Sequence, residues 1–296
     1  MKRISWILAG MFVIVISYYL FLRSFEYEVN FKAHTLPGDL IQTIRIWNGS
    51  LDNAHVVNVD SFYRLKQAVI WKNRSYDFNW NFELVNDSVT AVNVQISEPG
   101  RRTLNKLLIP ITHQQIEGDA GEIVRNFYQV LTSHLKITKV KVIGKAEIDS
   151  SFCLCRSLET SQIGKANGMM KDFPLLNSFI EQFKLESKGP PIVQIRAWDH
   201  SRGLLKYDFC FPIVYHDSLP VLESVIYKKI KKETVLKASY FGNYITSDRA
   251  WYELIQYAQK NGYKVNGFPI EQFHDNPNLG SNEGAWKADV YLPIAD

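Results

Sequence analysis

Two patterns of apolar residues follow one another along the chain. In Glu26–Lys32 apolar and polar residues alternate one by one, so that Tyr27, Val29 and Phe31 share one face. A period of two is typical of a half-buried β-strand. Elsewhere apolar residues recur every three or four positions, which is typical of a helix with one buried face. The order of these segments predicts an α+β protein.

The first pattern leads into a run of predicted elements between residues 25 and 137. A helix begins after Leu36-Pro37-Gly38-Asp39 and carries Trp47 near its end. Turn signals such as Glu98-Pro99-Gly100 separate the segments that follow. The predicted strands cover residues 76–84, 88–97 and 103–111, and a long helix covers residues 116–135.

Strand, helix, antiparallel strands and a long last helix form the order of a helix-grip domain. With Tyr27-Glu28-Val29-Asn30-Phe31-Lys32 followed by Pro37-Gly38, residues 25–137 resemble a START-like polyketide-cyclase domain. The resemblance implies an apolar cavity for a lipid or another hydrophobic ligand. The alternative is a cavity filled by the domain's own side chains. No catalytic set is visible, because His113 and His134 stand alone.

The N-terminal segment Ile4–Leu22 contains no charged residue. About 20 such residues span a bilayer as a helix, so residues 1–24 are predicted to be a transmembrane anchor. Lys2 and Arg3 outnumber Arg23. This favours a single-pass protein of the cell membrane with its N-terminus in the cytoplasm and the remaining domains outside the cell. The alternative is a cleaved signal peptide, but no pair of small residues follows the apolar run.

The last 150 residues contain an internal repeat. Gly189-Pro190-Pro191-Ile192 is echoed by Gly267-Phe268-Pro269-Ile270, and in each half an aspartate, Asp208 or Asp289, stands four residues before Pro-Ile. Each half also shows a strand, a helix and two more strands. We therefore predict one domain at 138–296 with two repeats. The repeats cover residues 145–215 and 222–296.

This part of the chain resembles a known bacterial family. The matching motifs are Tyr240-Phe241-Gly242-Asn243-Tyr244, Trp251-Tyr252-Glu253-Leu254, Asn261-Gly262-Tyr263, Gly267-Phe268-Pro269-Ile270-Glu271 and Asp289-Val290-Tyr291-Leu292-Pro293-Ile294. They resemble the gyrase-inhibitor-like (GyrI-like) or transcription-activator effector-binding domain over about residues 145–296. The family binds small organic molecules, often cationic and aromatic, in a groove with an acid on the last strand of a half.

The resemblance implies a set of ligand-binding residues. The family's acid corresponds to Asp289, with Asp208 as its counterpart, although many relatives have Glu there. A carboxylate in an apolar groove needs a partner, and a ligand cation between aromatic rings would supply one. The candidate walls are Tyr240, Tyr244, Trp251, Trp286 and Tyr291.

Composition narrows the class of partner. A net charge of +4 over 296 residues gives no strong basic surface, and no recognition helix is visible, so nucleic acid is not expected as a partner. Three cysteines, Cys153, Cys155 and Cys210, are too few for a disulfide framework and are predicted to be small buried hydrophobes. They lack the further ligands of a metal site, and no cofactor is expected.

Three functions remain in order of preference. The first is a membrane-anchored protein that binds a small amphipathic or cationic molecule. The second is a hydrolase in which Asp289 or Glu253 activates water. The third is a scaffold that only mediates protein contacts.

Overall fold

A computed structural model describes residues 2–221, 223–277 and 282–295. The chain divides into two compact units, Met1–Thr132 and Ser133–Asp296. Some bounds of the predicted segments lie outside the described residues: residue 1 of the predicted anchor and residues 222 and 296 of the second predicted repeat. Both units combine helices with an antiparallel sheet, which confirms the predicted α+β class.

The N-terminal helix corrects the prediction for residues 1–24. Helix α1 covers Lys2–Ser17, only 16 residues, and a π-helical turn covers Tyr18–Leu22. At 1.5 Å per residue α1 is about 24 Å long, less than the ~30 Å of a bilayer core. None of the helices in the described part of the chain is long and apolar enough to cross a membrane. The predicted anchor, and the membrane location derived from it, are therefore wrong.

The first unit contains a five-stranded sheet with strand order β1-β5-β4-β3-β2. Its elements after α1 are β1 (Tyr27–Ala33), α2 (Pro37–Asn48), β2 (Ala54–Ser61), β3 (Arg64–Trp71), β4 (Arg74–Asn86), β5 (Val89–Ser97), α3 (Arg102–Leu108) and α4 (Gln115–Ile137).

The core of this unit lies between the sheet and the long helix α4. The ring of Phe127 lies 5.0 Å from that of Trp80 and 5.3 Å from that of Trp47, measured between centroids. Both indole N–H groups donate at 2.8 Å, Trp47 to Asn126 and Trp80 to Gln67. These rings pack in the layer between the sheet and α4, the same layer in which the START-like resemblance implies a ligand cavity.

Helix α3 corrects the predicted strand at 103–111. Its leucines Leu104 and Leu107 are exposed, whereas Asn105 and Lys106 are buried. Asn105 donates to the Glu98 carboxylate at 2.9 Å, and the Lys106 ammonium donates to the backbone carbonyls of Leu20 and Arg23. Polar contacts hold this segment, so its apolar residues could not indicate its structure.

The second unit contains an eight-stranded sheet with strand order β10-β7-β9-β8-β12-β13-β11-β6. Its elements are β6 (Lys139–Ile148), β7 (Ser151–Ser161), α5 (Lys165–Gln182), β8 (Ile192–Asp199), β9 (Leu204–Pro212), β10 (Ile226–Ile230), β11 (Glu233–Phe241), α6 (Arg249–Asn261), β12 (Ile270–Phe273) and β13 (Lys287–Pro293). Helix α6 ends at Gly262 with φ of 72°, a left-handed cap that glycine adopts without strain.

The two outer strands of this sheet, β6 and β10, each pair with a strand of the other half of the unit. Strand β6 leads directly into β7 but pairs with β11, and β10 leads directly into β11 but pairs with β7. Two residues connect each pair of successive strands, a reach of at most about 11 Å. The sheet must therefore curl until its two ends lie close together. The enclosed face holds a second apolar core that includes Cys153, Ile192 and Tyr291.

The cysteines correct part of the sequence analysis. All three are buried as predicted, but Cys155 and Cys210 form a disulfide between directly paired residues of β7 and β9. Cys153 keeps a free thiol. The partners are 55 residues apart in the sequence, so only the pairing of β7 with β9 reveals them.

Candidate functional site

A cavity of about 290 Å³ lies on the side of the second sheet that carries α5 and α6. Its walls come from both halves of the unit: from α5 and β9 in the first, and from the segments after β11 and β12 in the second. The lining residues are Ala166, Met169, Met170, Phe173, Pro191, Phe209, Asn243, Tyr244, Ile245, Phe273, Asp275, Asn276, Pro277, Glu283 and Trp286.

Three aromatic rings form one wall of this cavity. The Tyr244 ring lies 4.6 Å from the Phe273 ring and 5.5 Å from the Trp286 ring, measured between centroids. The Tyr244 hydroxyl donates to the Lys287 carbonyl at 2.8 Å and accepts from the Asp275 N–H at 3.1 Å. Burial raises the pKa of Tyr244, so the phenol stays neutral. Two hydrogen bonds at the hydroxyl and two neighbouring rings therefore fix the position of the Tyr244 ring.

Backbone geometry at Gly242 places Tyr244 on this wall. Gly242 has φ of 141°, a conformation that glycine adopts more readily than other residues. A Cβ atom there would lie 2.7 Å from the Tyr240 hydroxyl and 2.8 Å from the Thr138 methyl group. Glycine therefore allows the chain to turn from β11 into the short 3-10 helix that begins at Tyr244.

The polar groups of the lining are acidic or neutral. Asp275 accepts from the Lys287 N–H at 2.6 Å, and Glu283 accepts from the Asn243 amide at 2.9 Å. No lysine, arginine or histidine is among the lining residues that the structure describes. The cavity therefore combines an apolar, aromatic wall with two carboxylates.

A buried ion pair adjoins the cavity. Lys165, at the start of α5, and Glu271, on β12, are 1% and 0% exposed, and the ammonium donates to the carboxylate. Gly168 leaves room under α5 for the hydroxyl of Tyr207, which donates to the Lys165 carbonyl at 3.1 Å. The neighbouring Ala166 and Phe273 line the cavity.

Residues 166–295 match the family model of the GyrI-like small molecule binding domain. The chain carries a GyrI-like domain. This confirms the family predicted from the motifs between Tyr240 and Ile294. No curated protein matches the chain.

Several solved structures are similar to the chain. They include the EcmrR C-terminal domain, at 14% identity and TM-score 0.45, covering 54% of this chain and 98% of that one. SAV2435 bound to tetraphenylphosphonium has 11% identity and TM-score 0.39, covering 52% and 94%. A hydrolase from Listeria innocua has 10% identity and TM-score 0.35, covering 51% and 92%.

The GyrI-like domain brings two of the seven predicted ligand-binding residues to the cavity. Tyr244 and Trp286 line it. Trp251 and Tyr240 are fully buried on the same side of the sheet; the Trp251 indole donates to Glu271 at 3.0 Å, and the Tyr240 hydroxyl donates to the Asn243 carbonyl at 2.6 Å. Their ligand contact stays a prediction.

The structure places the other three, Asp208, Asp289 and Tyr291, on the enclosed face of the sheet. Tyr291 packs in the second core. Asp289 accepts from Ser239 at 2.7 Å and lies 3.1 Å from the Lys237 ammonium and 3.0 Å from His274. The cavity opens on the opposite face of the sheet, and none of these three residues lines it. Ligand contact by them also stays a prediction.

Asp208 occupies the matching position in the first half. It pairs with Ser157 and Gln194, as Asp289 pairs with Ser239 and Gln272. Arg196 and Lys228 lie 2.8 Å and 2.7 Å from its carboxylate. Both aspartates thus join neighbouring strands through positive side chains of the protein itself.

These contacts lead us to expect a structural effect of Asp289→Asn. Burial acts against the charge, but hydrogen bonds from Ser239 and Lys237 outweigh it and hold the pKa of Asp289 below its ordinary value. The contribution to stability is therefore present above pH ~4 and is lost as the pH falls further. The variant should lose about 1–3 kcal/mol at neutral pH and should show a weaker decline of stability between pH 5 and pH 2.

Denaturant titrations at several pH values check this expectation, with the exposed Glu159→Gln as control. A variant with unchanged stability and reduced ligand affinity would instead support the ligand role predicted from the sequence.

Sequence reasoning missed most of the cavity. Met169, Phe173, Phe209 and Phe273 read as ordinary core positions, and Lys165 lies in a stretch rich in Gly and Asn that gave no signal. The described residues hold no group of three or more His, Cys, Asp or Glu side chains that could bind a metal ion. Asp289 and Glu253, the acids named for a hydrolase, do not line the cavity.

Proposed function

We propose that the GyrI-like domain binds a small amphipathic organic cation in the cavity between α5 and the Tyr244 wall. The supporting observation is the composition of the lining, which is aromatic and apolar and carries the carboxylates of Asp275 and Glu283 without a basic side chain among the described residues. Ring faces attract organic cations, and a nearby carboxylate adds to that attraction. Apolar surface supplies most of the affinity.

The size of the cavity sets the size of the ligand. About 290 Å³ lies at the lower end of the range for small-molecule sites. Exposed Met170 and Ile245 stand at the rim, whereas Phe209, Tyr244 and Phe273 are buried inside. The ligand should therefore place an aromatic or branched apolar group inside and its charge near Glu283.

The same charges argue against a phosphate-bearing ligand in this cavity. Two carboxylates would repel phosphate, and the lining offers no lysine or arginine among the described residues to neutralise it. We therefore still expect that nucleic acid is not the ligand of this cavity.

Titration calorimetry with a matched pair of ligands tests the proposal. Benzyltrimethylammonium and neopentylbenzene have the same shape and differ in charge. We expect the cation to bind more tightly. Ala166→Trp fills the cavity from α5 and should weaken the binding of both ligands by roughly tenfold or more. Glu283→Gln should weaken only the cation, by roughly two- to fivefold, because Glu283 is exposed and its charge is screened.

Lys206→Met serves as control for the variants, since Lys206 lies on β9 with an exposed side chain and pairs with Glu159. Binding that survives Ala166→Trp would place the ligand elsewhere. Equal affinity for the charged and uncharged probe would leave a binding domain without cation preference.

A further inference from the structure

The ammonium of Lys165 lies in a site built like a receptor for an organic cation. It donates to the Glu271 carboxylate and to the Ser247 hydroxyl, the latter at 2.8 Å. It lies 4.7 Å from the centroid of the Trp251 ring and 6.0 Å from that of Phe273. A carboxylate with two ring faces is a combination that recognises ammonium groups.

The carboxylate of Glu271 is held rigidly in this site. One oxygen accepts from the Ser247 hydroxyl at 2.8 Å and from the Trp251 indole at 3.0 Å, while the other faces the Lys165 ammonium. Glu271 would therefore keep its position if the ammonium were removed.

The fold itself does not require these two charges. Lys165 lies eight residues after Ser157, and Ser247 lies eight residues after Ser239, the serine in the matching position of the other half. Glu271 directly precedes Gln272, and Val193 directly precedes the matching Gln194. Each half thus contributes one charge, and the matching positions carry the uncharged Ser247 and Val193. A charge pair at this point is a property of this chain's residues and not of its architecture.

The site also adjoins the cavity. Ala166 follows Lys165 directly, and Phe273 stands two residues after Glu271 on the same face of β12; both line the cavity. The Phe273 ring belongs at once to the cavity wall and to the surroundings of the ammonium.

We propose that Lys165 is a specificity-determining residue, an internal cation that masks a second, deeper cation subsite formed by Glu271, Trp251, Ser247 and Phe273. With Lys165 present, a ligand can use only the carboxylates nearer the mouth, Asp275 and Glu283. Without the lysine side chain, the subsite accepts a small primary alkylammonium ion. The subsite has this character whatever the natural ligand of the cavity is.

Chemical complementation of Lys165→Ala in the full chain tests this inference. The substitution removes the atoms of n-propylammonium, so this ion is the matched probe and 1-propanol is its uncharged control. We expect the variant to have a lower Tm than the native protein and ~10 mM n-propylammonium to raise that Tm by roughly 3–5 °C, the effect of a millimolar Kd. The native protein, whose subsite is filled, should shift by less than about 1 °C under the same conditions.

Two further variants make the result specific. Lys165→Met keeps the bulk of the side chain and should not respond to n-propylammonium. Lys165→Ala combined with Glu271→Gln removes the carboxylate and should not respond either. Equal stabilisation by 1-propanol, or an equal response of the double variant, would overturn the inference.

If Lys165→Ala does not fold alone, refolding in n-propylammonium followed by circular dichroism replaces the Tm measurement. Recovery with the ion but not with 1-propanol supports the subsite, and no recovery overturns it. Benzyltrimethylammonium binding to the native protein is measured separately, so failure of this inference is distinguishable from failure of the proposed function.

Discussion

Lys165→Met should destabilise the C-terminal unit by about 3–5 kcal/mol, because it leaves a buried carboxylate without its counter-charge. Glu271 is fully buried, and the remaining donors, Ser247 and Trp251, are neutral. Two neutral hydrogen bonds do not replace an ammonium in a medium of low polarity. The loss should therefore exceed that of an ordinary surface substitution several-fold.

The double variant Lys165→Met with Glu271→Gln separates pairing from packing. Replacing both partners of a buried ion pair is often nearly neutral, and the carbonyl of the introduced side-chain amide can still accept from Ser247 and Trp251. We expect the double variant to lie within about 1–2 kcal/mol of the native protein, which makes it roughly 2–3 kcal/mol more stable than Lys165→Met.

Hydrogen exchange of the β9 and β13 amides measures these effects within the full chain, since amides in core strands exchange through global opening of their unit. Lys206→Met is the matched control, because the pair of Lys206 and Glu159 is more than half exposed on both sides and should contribute at most about 1 kcal/mol. If the double variant is as unstable as Lys165→Met, the loss comes from packing and not from the unpaired carboxylate.

Loss of the disulfide between Cys155 and Cys210 should cost a comparable amount. The bond joins residues 55 apart in the sequence and so encloses most of the first half, including α5 and β8. In the chain-entropy account, closing a loop of this length restricts the unfolded chain by about 4 kcal/mol. The double substitution to Ala should therefore lower the free energy of unfolding by about that amount.

Cys153 provides the control for this prediction. It is buried on the same face of β7 as Cys155, and Cys153→Ala removes only one sulfur atom from the core, which should cost about 1 kcal/mol. Burial raises the pKa of the Cys153 thiol to about 12, so the thiol stays protonated and does not exchange with the disulfide.

Denaturant unfolding with and without dithiothreitol completes the test. Dithiothreitol should destabilise the native protein and Cys153→Ala to the level of the double variant, and should leave the double variant unchanged. Native protein that is insensitive to the reductant, with a thiol titration showing that reduction is complete, would contradict a stabilising disulfide.

The sequence predicted those parts of the fold in which the spacing of nearby residues shows which side chains are buried. Alternation along Tyr27, Val29 and Phe31 indicates β1, because a strand exposes every second residue to the same face. The apolar stripe through Ile123, Phe127 and Leu131 indicates α4, because a helix brings residues four positions apart to the same face. Motifs around Tyr240 and Asp289 were enough to indicate the GyrI-like domain, since several short motifs resemble the family in the same order along the chain.

Local patterns failed where partners distant in sequence decide the structure. Exposed leucines in α3 suggested a strand, but Asn105 and Lys106 hold that segment through contacts with Glu98 and the Leu20 and Arg23 carbonyls. The apolar run at the N-terminus has the composition of a membrane span, yet its α-helix ends at Ser17.

The candidate site shows the same division. Tyr244 was named from a family motif and Trp286 from its aromatic character, and both line the cavity. Asp289 was named for the groove and lies on the other face of the sheet, and ligand contact by all three residues stays a prediction. Strand alternation gives the relation between Asp289 and Tyr291 but does not say which face of the sheet carries the helices. Lys165 and Glu271 are 106 residues apart, and neither has a neighbour in sequence that indicates a buried charge. Only the folded sheet, which brings Lys165 at the start of α5 to Glu271 on β12, decides that these two charges meet beside the cavity.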